Sequence, residues 1–210
     1  MLKKIGYFSS NNKKTIEIKD GIIAENMHDV PYIKQSVGPE IISSMTIACQ
    51  SIRTISETLG RRREDMLLGV QILAAANKEA LAVARCTGFD LIRAECFVFS
   101  HVADEGWMDG CAGDLVRYSR SINADSIAII TDVKKKHSSH AVTGDLTVDV
   151  RSTCSLPIFV GSGVNVSNAD QFVGVDAFIV GSGFKKDGKW MNELDIDRVK
   201  SFMNRVNSFK

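Results

Sequence analysis

The sharpest chemical signal in the sequence is one triplet that occurs twice. Gly161-Ser162-Gly163 follows an apolar run at 157–160, and Gly181-Ser182-Gly183 follows a second run at 177–180. Glycine leaves no Cβ between backbone N–H groups and a ligand, and serine adds a hydroxyl donor. A helix beginning just beyond adds the positive end of its dipole. The expected guest of Gly161, Ser162, Gly163, Gly181 and Ser182 is therefore a phosphate, with Lys185 as counter-charge. Lone triplets of this kind often do no more than turn a strand into a helix. Two on successive strands argue for a ligand, because the loops after the last two strands of a parallel α/β barrel often hold phosphate. The stretch 185–189 reads equally well as a solvated turn.

A second set of chemically capable residues lies where apolar strands end. Glu25, His28 and Asp29 follow the run 21–24, and Gln71 interrupts the run 66–73. Arg93 and Glu95 sit two apart, on one face of the run 91–99, while Asp132 and His137 follow the run 126–131. In α/β sheets ligands bind beyond the carboxyl ends of the strands, so these positions converge on a site mouth. Glu25, His28, Asp29, Arg93, Glu95, Asp132 and His137 are the candidate catalytic residues, since imidazoles and shifted carboxylates transfer protons near neutral pH. The plainer alternative for Arg93 and Glu95 is an internal ion pair, because an unpaired charge inside so apolar a strand is costly. His101 and His140 also lie near strand exits, and the lysines at 134–136 read as a solvated face. No histidine, cysteine or carboxylate spacing matches a metal motif, so no metal is expected, and no cofactor is named by the residues.

These residues need a scaffold of alternating strands and helices. The runs 21–24, 66–73, 91–99, 126–131, 157–160 and 177–180 are continuous and β-branched, as in a parallel sheet covered on both faces. Helices are expected at 39–59, 77–87, 113–122, 167–172 and 195–206, with Asn77, Ser167 and Asp195 as N-caps and Gly88 as a C-terminal stop. The fold class is α/β, a parallel (β/α) TIM-type barrel that is incomplete at six strands. A full barrel needs about 250 residues, against 210 here. Residues 1–19 read as an atypical N-terminal segment and 20–210 as a single barrel-like domain.

A net charge of +1 and a balanced composition argue against nucleic acid as a partner. No apolar run approaches the roughly 18 residues of a membrane span. Five scattered cysteines with no CxxC pair read as reduced thiols. The expected location is cytoplasmic, with lysines 3, 4, 13 and 14 weakly compatible with a mitochondrial leader.

The motifs together resemble the BtpA family of ribulose-phosphate-binding-type TIM barrels. The matching stretches are Asp20-Gly-Ile-Ile-Ala-Glu-Asn-Met-His-Asp-Val-Pro-Tyr32 with Val37-Gly-Pro-Glu40, Gly69-Val-Gln-Ile-Leu73, and Ile92-Arg-Ala-Glu95 through Ala103-Asp-Glu-Gly106. They continue with Asp132-Val-Lys-Lys-Lys-His-Ser-Ser-His140, Val160-Gly-Ser-Gly163, and Ile179-Val-Gly-Ser182 through Phe184-Lys-Lys-Asp-Gly-Lys-Trp190. By this resemblance the first and sixth barrel strands are missing. It implies a phosphorylated small molecule as ligand, a sugar phosphate or nucleotide, and an enzyme of unknown reaction. The alternatives it leaves are a non-catalytic assembly or stability factor, since photosynthetic members are linked to photosystem I, and an inactive shortened form. A homo-oligomer would cover the edges left by absent strands.

Overall fold

Each turn that launches a parallel strand must satisfy the first backbone groups of its neighbour, and the chain does this with a repeated device. The computed structural model describes residues 2–7, 17–60, 66–132, 139–140 and 158–209. In Gly88-Phe89-Asp90 the glycine takes φ +67°, closing the preceding helix in the left-handed region that a Cβ disfavours. Asp90 then accepts from the N–H of Leu68 at 3.0 Å through Oδ2, while its own N–H donates to the Leu68 carbonyl at 2.8 Å. Gly174-Val175-Asp176 repeats the arrangement: Gly174 has φ +96°, and Asp176 exchanges the same two bonds with Ile158 at 2.8 and 3.0 Å.

The chain divides into two compact units, Ile23–Gly144 on one side and Met1–Ile22 with Asp145–Lys210 on the other. The larger unit holds the end of β2 (Glu17–Glu25), then β3 (Met66–Gln71), β4 (Leu91–Ala94) and β7 (Ala128–Thr131), side by side in that order. β3, β4 and β7 are parallel, with Val70 opposite Ile92 and Arg93 opposite Ile130. Helices α1 (Pro39–Thr58), α2 (Asn77–Thr87) and α3 (Ala112–Ser121) connect them. α2 lies on β3 and β4 through Ala80, Leu81, Val83 and Ala84, all buried. Arg53 of α1 donates to the Gly88 carbonyl and stacks 5.9 Å from the Phe89 ring, so its buried charge fastens α1 to the end of α2.

In this unit three features depart from the sequence expectation. The run 91–99 is a strand only to Ala94, because Cys96 takes φ +51° and its carbonyl accepts from Cys111 N at 3.0 Å. Beyond it β5 (His101–Ala103) forms a hairpin with β6 (Gly106–Met108) and pairs antiparallel with β8 (Ser139–His140). Gly106, at φ +94°, permits that tight turn. Asn77 does not cap its helix; Ala76 precedes α2 without a side-chain cap, and the Asn77 amide is used elsewhere.

In the other unit β1 (Leu2–Tyr7) runs antiparallel to the first part of β2, where no strand was expected. β9 (Phe159–Gly161) and β10 (Ala177–Ile179) are parallel. α4 (Ile196–Asn207) packs Val199, Phe202 and Val206 onto Phe178, Val180 and Phe184, with Phe202 edge-on to both phenylalanines at 5.7 and 5.4 Å. Asp195 caps α4 as expected, accepting from Asp197 N and Arg198 N. The 167–172 helix is only a single tight turn, Ala169–Phe172, and Ser167 does not cap it. The described residues make a mixed α/β structure with a mostly parallel central sheet and four α-helices, and they form no closed barrel.

Of the four cysteines in the described residues, Cys49 and Cys96 are buried, Cys111 is half-buried and Cys86 is exposed. Cys154 lies outside the described residues. Burial pushes the Cys49 thiol up to about 12. Iodoacetamide near pH 8 is expected to label Cys86 in the folded protein and to reach Cys49 only after denaturation. Equal labelling rates at the two, read by peptide mass spectrometry, contradict this assignment.

Candidate functional site

In the larger unit, register brings the polar residues of neighbouring strands together at their carboxyl ends. Arg93 donates from one terminal nitrogen to Asp132 Oδ1 at 3.1 Å, and its other terminal nitrogen lies 3.4 Å from Glu25 Oε1. The side chains of Glu25, Asp132 and Arg93 are only 9%, 16% and 18% exposed. Burial opposes the guanidinium charge, but Asp132 and then Glu25 outweigh it and hold Arg93 above its ordinary value. Arg93 thus grips carboxylates of the flanking strands, and not Glu95 as in the plainer ion-pair alternative.

Glu95 is turned to another task. Fully buried, it accepts from the N–H of Ala75 at 2.6 Å, and its backbone is bracketed by Asn77. The Asn77 amide donates to the Glu95 carbonyl at 2.7 Å and accepts from the Glu95 N–H at 3.1 Å. Asn26 does the same for the neighbouring strand exit, accepting from Leu73 N at 2.7 Å and donating to its carbonyl at 3.4 Å. Two asparagines therefore continue the hydrogen-bond ladder past the ends of the strands and fix the loops there. Nothing in residue type or spacing separates them from ordinary caps and turn residues, so the sequence reading gave them no role of this kind.

His28 and Asp29 are exposed on the same exit loop, with Asp29 accepting from the Asn26 amide at 3.3 Å. Tyr32 donates to the Met27 carbonyl at 2.7 Å, and burial followed by the charges of Glu25 and Glu105 raises its hydroxyl above the ordinary value. His101 is buried with its ring nitrogens 3.4 and 3.5 Å from Cys96 Sγ. His137 lies outside the described residues. Among the described residues, no cluster of three or more histidines, cysteines and carboxylates is placed to hold a metal ion.

In the smaller unit the two Gly-Ser-Gly loops touch. A Cβ on Gly183 would lie 2.6 Å from the Val164 carbonyl oxygen and 3.5 Å from Asn165 Cα, so only glycine lets the second loop rest on the first. Ser162 and Gly163 both take left-handed φ, +63° and +93°. The Gly163 carbonyl is held by the amides of Asn165 at 3.2 Å and Asn168 at 3.0 Å. That pins the loop with its hydroxyl-bearing residue exposed. Among the described residues, none accepts from the N–H of Gly163, Ser182 or Gly183. The Lys186 ammonium is taken up by Glu193 at 2.8 Å, and no carboxylate of the described residues lies within ion-pair distance of Lys185.

A sequence model of the BtpA family matches residues 16–156 and 145–208. An uncharacterized mitochondrial protein of Caenorhabditis elegans, F13E9.13, is 47% identical over 91% of this chain and 79% of its own length. The photosystem I biogenesis protein BtpA of Synechocystis is 28% identical, over 89% of this chain and 74% of its own. An uncharacterized protein of Archaeoglobus fulgidus is also 28% identical, over 86% and 80%. No solved structure matches the chain.

Proposed function

The chain belongs to the BtpA family, and from that premise we propose that it is an enzyme-type α/β protein that binds a small phosphorylated metabolite. In this reading its parallel strands are those of an incomplete TIM-type barrel over 20–210. Gly161, Ser162, Gly163, Gly181 and Ser182 hold the phosphate, with Lys185 as its cation. The observation that carries the reading is Gly183 pressed against Val164 and Asn165, which stacks the two loops and leaves the N–H groups of Gly163, Ser182 and Gly183 without acceptors among the described residues. Glu25, Asp132 and Arg93 are the acid–base candidates of the described residues, and His28, Asp29 and Glu95 act beside them.

Titration of the nitrogen-15-labelled protein with millimolar phosphate or ribose 5-phosphate is expected to move the amide signals of Ser162, Gly163, Ser182 and Gly183. The variant Gly183→Val, whose side chain must push the Val164 carbonyl away, is expected to lose that response. Unmoved Ser162 and Ser182 amides in the native protein sink the proposal.

A second reading has one observation in its favour, the photosystem I biogenesis role in the name of the Synechocystis relative. It makes the chain an assembly factor acting through protein contacts, and predicts that alanine at Asp132 leaves the cellular role intact. The word mitochondrial in the name of the Caenorhabditis elegans relative supports a mitochondrial location for the chain, against the cytoplasmic one expected from the sequence. No helix of the described residues is long and apolar enough to cross a membrane.

A further inference from the structure

Three polar atoms at the carboxyl ends of β3, β4 and β7 are buried and have no hydrogen-bond partner among the described residues: Gln71 Oε1, Arg93 Nε and Asp132 Oδ2. Register puts them on one face. Val70 stands opposite Ile92, so the next step sets Gln71 opposite Arg93, and Asp132 falls two residues beyond Ile130, the partner of Arg93. Thr131 Oγ1 is also unpartnered, but Thr131 stands opposite Ala94 on the other face and is not part of this group. Gln71 is 3% exposed. A buried polar atom without a partner costs free energy, and three in one place at strand ends call for a common partner.

The chemistry of the three atoms selects that partner. Arg93 Nε offers a proton, while Gln71 Oε1 and Asp132 Oδ2 only accept one. The guanidinium already faces two carboxyl groups, Glu25 and Asp132, so an anion arriving here meets more negative than positive charge. An ammonium would suit the charge but has no lone pair for Arg93 Nε. A hydroxyl group donates and accepts at once. We propose that the carboxyl ends of β3, β4 and β7 bind an uncharged polyol through two adjacent hydroxyl groups, one accepting from Arg93 Nε–H and donating to Gln71 Oε1, the other donating to Asp132 Oδ2. This site does not depend on the phosphate reading, which has its own reporters in Ser162 and Ser182.

The test is a titration of the whole labelled chain with ribose and, separately, with inorganic phosphate. Ribose in the tens of millimolar is expected to shift the Gln71 side-chain amide and the Arg93 Nε–H signals saturably, and phosphate to leave both in place. Gln71→Leu is expected to weaken ribose binding at least about tenfold without lowering the melting temperature, since it removes an unpartnered acceptor. The proposal is overturned if phosphate and not ribose moves Arg93 Nε–H, if neither ligand does, or if Gln71→Leu binds ribose as tightly as the native chain. Because the native-protein titration stands alone, poor folding of the variant leaves the test intact.

Discussion

Replacing Arg93 by methionine is expected to destabilise the protein by about 3–5 kcal/mol at neutral pH, the cost of leaving buried carboxylates without their cation. For a chain of this size that is a fall in melting temperature of roughly 10 °C. Methionine keeps most of the side-chain volume, so the loss reports on charge and not on a cavity. The loss is read by denaturant melts of the variant and the native protein at neutral pH. Adding Glu25→Gln and Asp132→Asn to the variant should recover much of the loss at neutral pH. A deficit of less than about 1 kcal/mol, or one that the added Glu25→Gln and Asp132→Asn changes do not reduce, means that the ion-pair cluster is not what holds these strand ends.

Much of the scaffold was legible because local chemistry and tertiary context agree. The helix starting at Asn77 ends at Thr87 beside a left-handed Gly88, and α4 begins after its Asp195 cap, each within a residue of the expectation. The strands at 66–71 and 177–179 are read from β-branched runs that stay buried. What was not legible depends on contacts between segments distant in sequence. The run 91–99 has the composition of one strand, but a positive φ at Cys96 and bonds from Cys111 divide it. The strand-end cluster shows the same limit at the level of side chains. Spacing put Arg93 and Glu95 on one face and so suggested that they pair, whereas cross-strand register, invisible in a single sequence, brings Arg93 to Glu25 and Asp132. The Gly-Ser-Gly pair was recognised from its repeat. The reason for its last glycine, Gly183, a backbone carbonyl 2.6 Å from where a Cβ would be, appears only once the two loops are packed.

Asn77→Ala is expected to cost about 2–4 kcal/mol, because one small side chain satisfies both backbone groups of Glu95 in a fully buried setting. Each of those groups left without a partner costs about 1–3 kcal/mol. The helix itself should not suffer, as alanine is the better helix former and Asn77 caps nothing. Propensity and the ladder contact therefore predict opposite signs, and the magnitudes favour the contact, since propensity differences stay within about 0.7 kcal/mol. The Asn77 amide also reaches Cys111 Sγ at 3.2 Å, so the substitution frees the loop that leads into α3. Asn77→Asp keeps an acceptor for the Glu95 N–H but loses the donor to the carbonyl and buries a second carboxylate beside Glu95, so a loss at least as large as that of alanine is expected. Hydrogen exchange supplies the local readout. The Glu95 amide should exchange much faster in Asn77→Ala, while the amide of Leu115, inside α3, should change only as far as global stability falls. If alanine at this position leaves stability unchanged or raises it, helix propensity has won, and the carboxyl end of β4 is held by Glu95 and its bond to Ala75 instead.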